Sequence, residues 1–396
     1  MTTTQEAQPL SKGLITLLAA LVAFGPLSID MYLPALTLIA HDLQASHQLI
    51  EQSITFYLFG FSAGMFFYGP LSDRFGRRYL LLLGISIYAV ATVFCFLADS
   101  GQQLLGWRLL QALGGASASV LARAIVRDLS TVNQSARILS WMHIITMVAT
   151  LIAPIAGSLI ADFFGWRGIF IFLFLFATTV AAICFFKIPE TLPKTARISS
   201  VKHLVGSYGV VLKNRRALGY IGCMGMAFAG MFVYITASPF VYVQHFGIST
   251  QHYAYLFALN IFSIMIFTFI NTKQLQKRDP QSMISFGSSI VFAAGLFMLL
   301  INSIAPISLA MVVLGLFMFV GMTGVLSANC IAKLMGLFER KQAGTAAGLA
   351  VAIQFGLGGV LSYLVSQSAT ISPSAMIYYI AAAGALSFGA MLLSRN

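Results

Sequence analysis

Asp30 stands in the stretch Leu27-Ser28-Ile29-Asp30-Met31-Tyr32-Leu33-Pro34, inside an apolar run from about Leu14 to Ile39. That run is long enough for a helix to cross a bilayer. Asp30 is the one acidic residue that the sequence places well inside an apolar span. A charged carboxylate at the bilayer centre costs about 3 kcal/mol or more, and such residues face cavities and mark ion or substrate paths. Pro34, four residues on, has no N–H to return to the Asp30 carbonyl. An ionisable side chain beside a freed carbonyl at membrane depth is the chemistry of a binding or proton site. A carboxylate snorkelling to an interface is the competing reading, and the apolar Leu33, Leu36, Leu38 and Ile39 that follow it speak against that.

A second charge within reach is Arg108, about a turn inside the opposite edge of its own span. Burial favours the neutral form of a carboxylic acid, whereas a cation within ~4–6 Å favours the carboxylate. A movement that altered the Asp30–Arg108 separation, or the wetting between them, would switch Asp30 between proton uptake and release. On this reading Asp30 carries one coupling proton per cycle and Arg108 tunes it, with no second intramembrane acid to replace it. Candidate substrate contacts are Met31, Tyr32 and Gln111 in the first half, and Tyr234, Asn260, Asn329 and Gln354 in the second. Phe232 and Phe240 add aromatic walls. Helix packing is an equally available role for each of them. So few polar groups predict an apolar substrate, neutral or singly cationic. No Gly-rich loop ends in Lys-Ser/Thr, and the six histidines have no metal-ligand spacing, so the sequence offers no enzyme, metal or cofactor, only protons as coupling ion.

The elements that must position these residues follow from composition. Of 396 residues 59% are hydrophobic and 9% charged, and mean hydropathy is +0.88. Soluble domains carry about 25% charged residues, so this chain belongs in a bilayer. Twelve apolar spans are expected near 14–37, 51–70, 79–98, 104–126, 138–161, 167–187, 217–241, 253–271, 282–301, 305–327, 344–366 and 374–393. Long apolar runs and few turn residues argue against a barrel. The net charge of +12 sits in the connections. One side receives Lys12, Arg74, Arg77, Arg78, Arg127, Arg137, the basic linker with Lys194, and Arg340, Lys341 and Arg395; the other keeps Arg108 and Arg167. The asymmetry predicts cytoplasmic termini and linker, and explains the charge without nucleic acid. Residues 1–188 and 217–396 form two six-helix halves, with 189–216 as a cytoplasmic linker. Met1–Pro9 has neither a charged n-region nor a cleavage site, so no signal peptide is expected. The four cysteines lie in apolar spans without paired spacing and read as core residues.

Three motifs carry a family resemblance. Gly69-Pro70-Leu71-Ser72-Asp73-Arg74-Phe75-Gly76-Arg77-Arg78, between spans two and three, resembles the loop signature of the major facilitator superfamily. Arg108-Leu109-Leu110-Gln111-Ala112-Leu113-Gly114 is similar to the motif of its fourth helix. Ala153-Pro154-Ile155-Ala156-Gly157 is similar to the antiporter motif of the fifth, with Ala153 in place of the usual Gly. Ser28 to Leu36, Ala237-Ser238-Pro239-Phe240 and Phe257-Ala258-Leu259-Asn260 resemble the Bcr/CflA drug-resistance branch over essentially the full chain.

The resemblance implies an all-α fold of twelve transmembrane helices in two halves. It also implies a monomeric, proton-coupled multidrug efflux transporter of the bacterial inner membrane, surrounded by lipid and exporting hydrophobic antimicrobials. Symport or uniport of a small nutrient is the alternative on the same fold. Gly69, Asp73, Arg74, Gly76, Arg77 and Asp128 would form a conformational latch, with Arg77 paired to Asp128 and Asp73 meeting the start of span eleven near Gly344 and Thr345. Pro154 and Gly157 would carry the antiporter motif's role.

Overall fold

The computed structural model describes residues 12–193, 195, 197, 202–304, 308–368 and 372–395. Met1–Pro9 and Lys194, used above to read the N-terminus and the linker, lie outside the described residues, as do the side chains of Lys12, Arg340 and Lys341. Among the described residues the elements are all helical.

The first span is broken rather than continuous. α1 (Lys12–Val22) leads into α2 (Phe24–Asp30), a 3₁₀ turn at Leu33–Ala35 and α3 (Leu36–Asp42). The axis bends by 48° between Gly13–Val22 and Phe24–Asp42. Two prolines cause this, since neither Pro26 nor Pro34 can donate to the carbonyl one turn back. At the second break Tyr32 N–H turns to the Ile29 carbonyl at 3.1 Å, and Ala35 N–H to Tyr32 at 3.1 Å.

α4 (His47–Phe75), α5 (Arg77–Phe96), α6 (Gly101–Leu129), α7 (Val132–Phe164) and α8 (Arg167–Lys187) complete the first group. α9 (Lys202–Lys213) is a short helix inside the basic linker, where the sequence shows only a polar stretch; its Tyr208 packs on Phe66 with ring centroids 4.7 Å apart. α10 (Arg215–Phe240) runs on as a π turn at Val241–His245. α11 (Thr250–Gln274), α12 (Pro280–Ile304), α13 (Leu309–Met335), α14 (Arg340–Ser366) and α15 (Pro373–Arg395) complete the second group. Eleven of these helices are each long and apolar enough to cross a membrane, and the bent first span makes a twelfth. Several start before the expected spans because Ser46, Ser100, Thr131 and Ser249 cap them from polar turns.

α6 lies at the heart of the first group. Gly60 and Gly64 of α4 bring the Leu109 carbonyl and Ala116 of α6 so close that any side chain would collide. In the second group α10 packs on α13, α14 and α15. The groups meet along α4 against α14 and α7 against α11, which makes a long seam through the bundle. The helices alternate in direction, so one end carries Gly76, the linker and most basic residues, while the other carries the 43–46, 165 and 247 turns. At the basic end Lys333 pairs with Asp279 at 3.9 Å; at the far end Arg167 pairs with Asp42 at 2.6 Å.

Candidate functional site

Asp30 closes α2 immediately before the second break and is 5% exposed. Among the described residues it makes no ion pair. It lies within electrostatic reach of the hydroxyls of Tyr57 on α4, Tyr234 on α10 and Tyr253 on α11. The turn that follows it, Leu33–Ala35, packs against α10 and α11, which places the break at the seam between the two groups. Asn260 Nδ2 donates to Tyr234 Oη at 2.9 Å, and its own Oδ1 is buried with no partner. Tyr253 shares a hydrogen bond of 3.2 Å with Ser238. The seam beside the break thus holds the Asp30 carboxyl and the half-satisfied Asn260 amide, and buried polar atoms without partners are costly unless a ligand, proton or water completes them.

Arg108 is fully buried, and it holds the first span in place. Its Nη1 donates to Gln111 Oε1 at 2.6 Å and its Nη2 to the Ser28 carbonyl at 3.0 Å. That carbonyl is available because Tyr32 N–H has turned to Ile29. The guanidinium lies between two phenol rings, 4.4 Å from the centroids of both Tyr32 and Tyr57, which favours a cation where water is absent. Gln111 in turn donates to Thr92 at 2.8 Å. Arg108 does not pair with Asp30. Ser28 and Asp30 are two positions apart, roughly 200° around a helix, so Arg108 on the Ser28 face leaves Asp30 on the other. Tyr57 lies within reach of both charges. Its hydroxyl makes no hydrogen bond of good geometry, because the neighbouring Ser28 hydroxyl is engaged by Tyr88 and the Phe24 carbonyl, each at 2.6 Å.

The remaining candidates separate. Gly157 lies against the backbone of Met31, where any side chain would strike the carbonyl, so α7 buttresses the break beside Asp30, with Pro154 inside the same helix. Phe232 joins Phe228 at 4.8 Å and Phe355 at 6.3 Å, and Phe61 of α4 meets Phe355 of α14 at 4.8 Å, an aromatic seam across the groups. Gln354 is buried one residue from it. Asn329 lies elsewhere: it bonds to Asn271 at 2.9 Å, about three turns along α11 from Asn260. Phe240 also lies apart, packed on His47 at 4.6 Å.

Tyr57, Tyr253 and Glu51 escaped the sequence reading. Glu51 stands at the first position of the expected span 51–70, but α4 begins at His47 and places Glu51 in its second turn. Ser46, which accepts from Leu49 N–H as N-cap, was the available signal. Glu51 is therefore a second acid on a spanning helix, four residues from its start.

At the basic end Gly76 has φ 102° and joins α4 to α5; a side chain there would be strained and would meet Glu190. Arg77 Nη1 pairs with Asp73 at 2.6 Å, its Nε with Asp128 at 3.1 Å, and its backbone N–H donates to Glu190 at 2.9 Å. Arg74 stacks on Phe75 at 5.2 Å, and Ser72 donates to the Gly69 carbonyl at 2.7 Å. The cluster ties α4, α5, α6 and the linker together. Asp73 here pairs within its own half, and the residue facing Gly344 of α14 is Arg127. Arg77→Ala leaves Asp73 and Asp128 both without their cation, whereas Asp73→Asn keeps the Asp128 pair. The expected order of melting temperature in detergent is therefore wild type, Asp73→Asn, Arg77→Ala, highest first. Equal loss in both variants would place the cluster's strength in Asp73 alone.

Comparison with known proteins matches this arrangement to a family. The model of the Major Facilitator Superfamily matches residues 17–363. The bicyclomycin resistance protein homolog of Haemophilus influenzae is 30% identical over 387 residues, 96% of this chain and 96% of that protein. The multidrug resistance protein MdtL of Shigella flexneri is 30% identical over 277 residues, 70% of each chain. Among solved structures, the xylose transporter XylE from E. coli has a TM-score of 0.71 at 16% identity over 96% of this chain and 95% of that one, a likeness of fold.

Proposed function

The chain belongs to the Major Facilitator Superfamily, and from that premise we propose that it exports hydrophobic antimicrobials in exchange for protons. The observation that carries this reading is Asp30: a buried carboxyl with no ion pair among the described residues, at a helix break beside the seam between the two groups. The names of the bicyclomycin and multidrug resistance relatives support the substrate class.

In the proposed cycle the halves, residues 1–188 and 217–396, rock about the α4–α14 and α7–α11 contacts, opening the seam to each side in turn. Open to the acidic side, Asp30 takes a proton. Open to the other, it releases that proton, and the drug enters between the Tyr234–Asn260 pair and the Phe232–Phe355–Phe61 seam. A bare carboxylate is expensive to enclose, so closure is favoured when either a proton or a drug occupies the site. Arg108 acts by position, holding the Ser28 carbonyl and Tyr57 so that the break keeps its shape. The basic end faces the cytoplasm with both termini. The protein works as a monomer in the bacterial inner membrane and uses no cofactor beyond the proton. The Arg77 cluster keeps the basic end of the first half rigid while the halves separate.

A pump-deficient bacterium expressing this chain is expected to accumulate less of an apolar antimicrobial than the empty host, and to lose that difference when a protonophore collapses the gradient. A difference that survives the protonophore would overturn proton coupling.

A further inference from the structure

Towards the far end of the seam a second cavity, of about 200 Å³, opens between α4, the end of α10, α14 and α15. Its walls include His47, Glu51, Phe240, Val365 and Met376. Gln48 on α4 bonds to Gln367 beyond α14 at 2.7 Å, and His47 contacts Gln244 at 3.3 Å, so both groups of helices meet around it. Among the described residues Glu51 is the one acid that lines the cavity, and no Lys or Arg lines it. Among the described residues Glu51 has no ion pair. His47, one turn before it on the same helix, keeps Nδ1 buried and unpartnered.

The Glu51 carboxylate, half-buried at this cavity, has no cation beside it among the described residues, and a partly desolvated charge is stabilised by gaining one. The other lining groups suit a cation that also carries apolar surface. Phe240 offers an aromatic face, Met376 a polarisable thioether, and Val365 and Ala237 aliphatic walls. A bare metal ion would need several oxygen ligands, which these walls do not gather.

We propose that this cavity binds a monovalent organic cation of the alkylammonium class, with Glu51 as its counter-charge and Phe240 as its aromatic face. The site is distinct from Asp30: Phe240 lies six positions beyond Tyr234 on α10, roughly 9 Å along the axis. It stands on the cavity and its lining, and requires neither transport nor a proton gradient.

The test is equilibrium binding of phenyltrimethylammonium to the purified full chain in detergent, by titration calorimetry without any gradient. Saturable binding to the wild type is expected. Glu51→Gln should weaken it by at least about tenfold, since a charged partner is lost. Ala375→Lys, which puts an ammonium into the cavity, should abolish it, and this variant serves if Glu51→Gln does not fold. Asp30→Asn should leave the affinity within about twofold, which separates this site from the proposed proton site. Absence of saturable wild-type binding overturns the proposal. So does wild-type affinity in Glu51→Gln or Ala375→Lys, or loss of binding in Asp30→Asn alone.

Discussion

Asp30→Asn abolishes uphill export while leaving equilibrium binding of a neutral drug within a few-fold of the wild type. The substitution preserves shape and hydrogen-bonding capacity and removes only the proton that can come and go. Nothing in the aromatic seam depends on that charge: Phe61, Phe232 and Phe355 hold one another. The Tyr234–Asn260 bond is likewise made without Asp30. Everted vesicles with an imposed pH gradient read the first effect, as export falling to the level of protein-free vesicles. Binding to the purified protein reads the second. With one carrier carboxyl, export of a neutral drug moves net charge and export of a monovalent cation does not. Glu51 sharpens the control. If proton-driven export persists in Asp30→Asn and disappears only when Glu51→Gln is added, the carrier lies in the far-end cavity and the assignment to Asp30 fails.

Arg108→Ala costs the protein both stability and transport, and Arg108→Lys restores neither. Removing the guanidinium strips the Ser28 carbonyl and Gln111 Oε1 of their donor. At about 1–3 kcal/mol for each buried group left unsatisfied, the loss is about 2–6 kcal/mol. It also empties the gap between the Tyr32 and Tyr57 rings. A lysine ammonium is compact and cannot lie flat between two rings while bonding two separate acceptors. Thermal unfolding in detergent and vesicle transport should therefore fall together in both variants. Wild-type melting in Arg108→Lys would show that charge alone suffices at this position and that the planar sandwich contributes little.

Which parts of this site were legible beforehand depends on the kind of information each needed. Twelve spanning helices follow from composition and run length, because a backbone in hydrocarbon must satisfy its own hydrogen bonds, and a long apolar run has few other ways to do so. The break beside Asp30 follows from Pro34, a local effect of a missing donor. The sharp turn at Gly76 and the pairing of Arg77 with Asp128 accompany a motif legible residue by residue. By contrast, the partner of Arg108 is decided by rotation about the helix axis: the 3₁₀ turn frees the Ser28 carbonyl and directs Asp30 to the opposite face. Asn260 and Asn329 are alike in sequence, yet one reaches Tyr234 at the seam and the other reaches Asn271 within its own half. Apolar pattern cannot tell them apart, because a helix in lipid is apolar all round and has no polar stripe to mark which face looks inward. Only packing sets that rotation. It also brings Glu51 and Phe240, from distant stretches of chain, to the walls of one cavity.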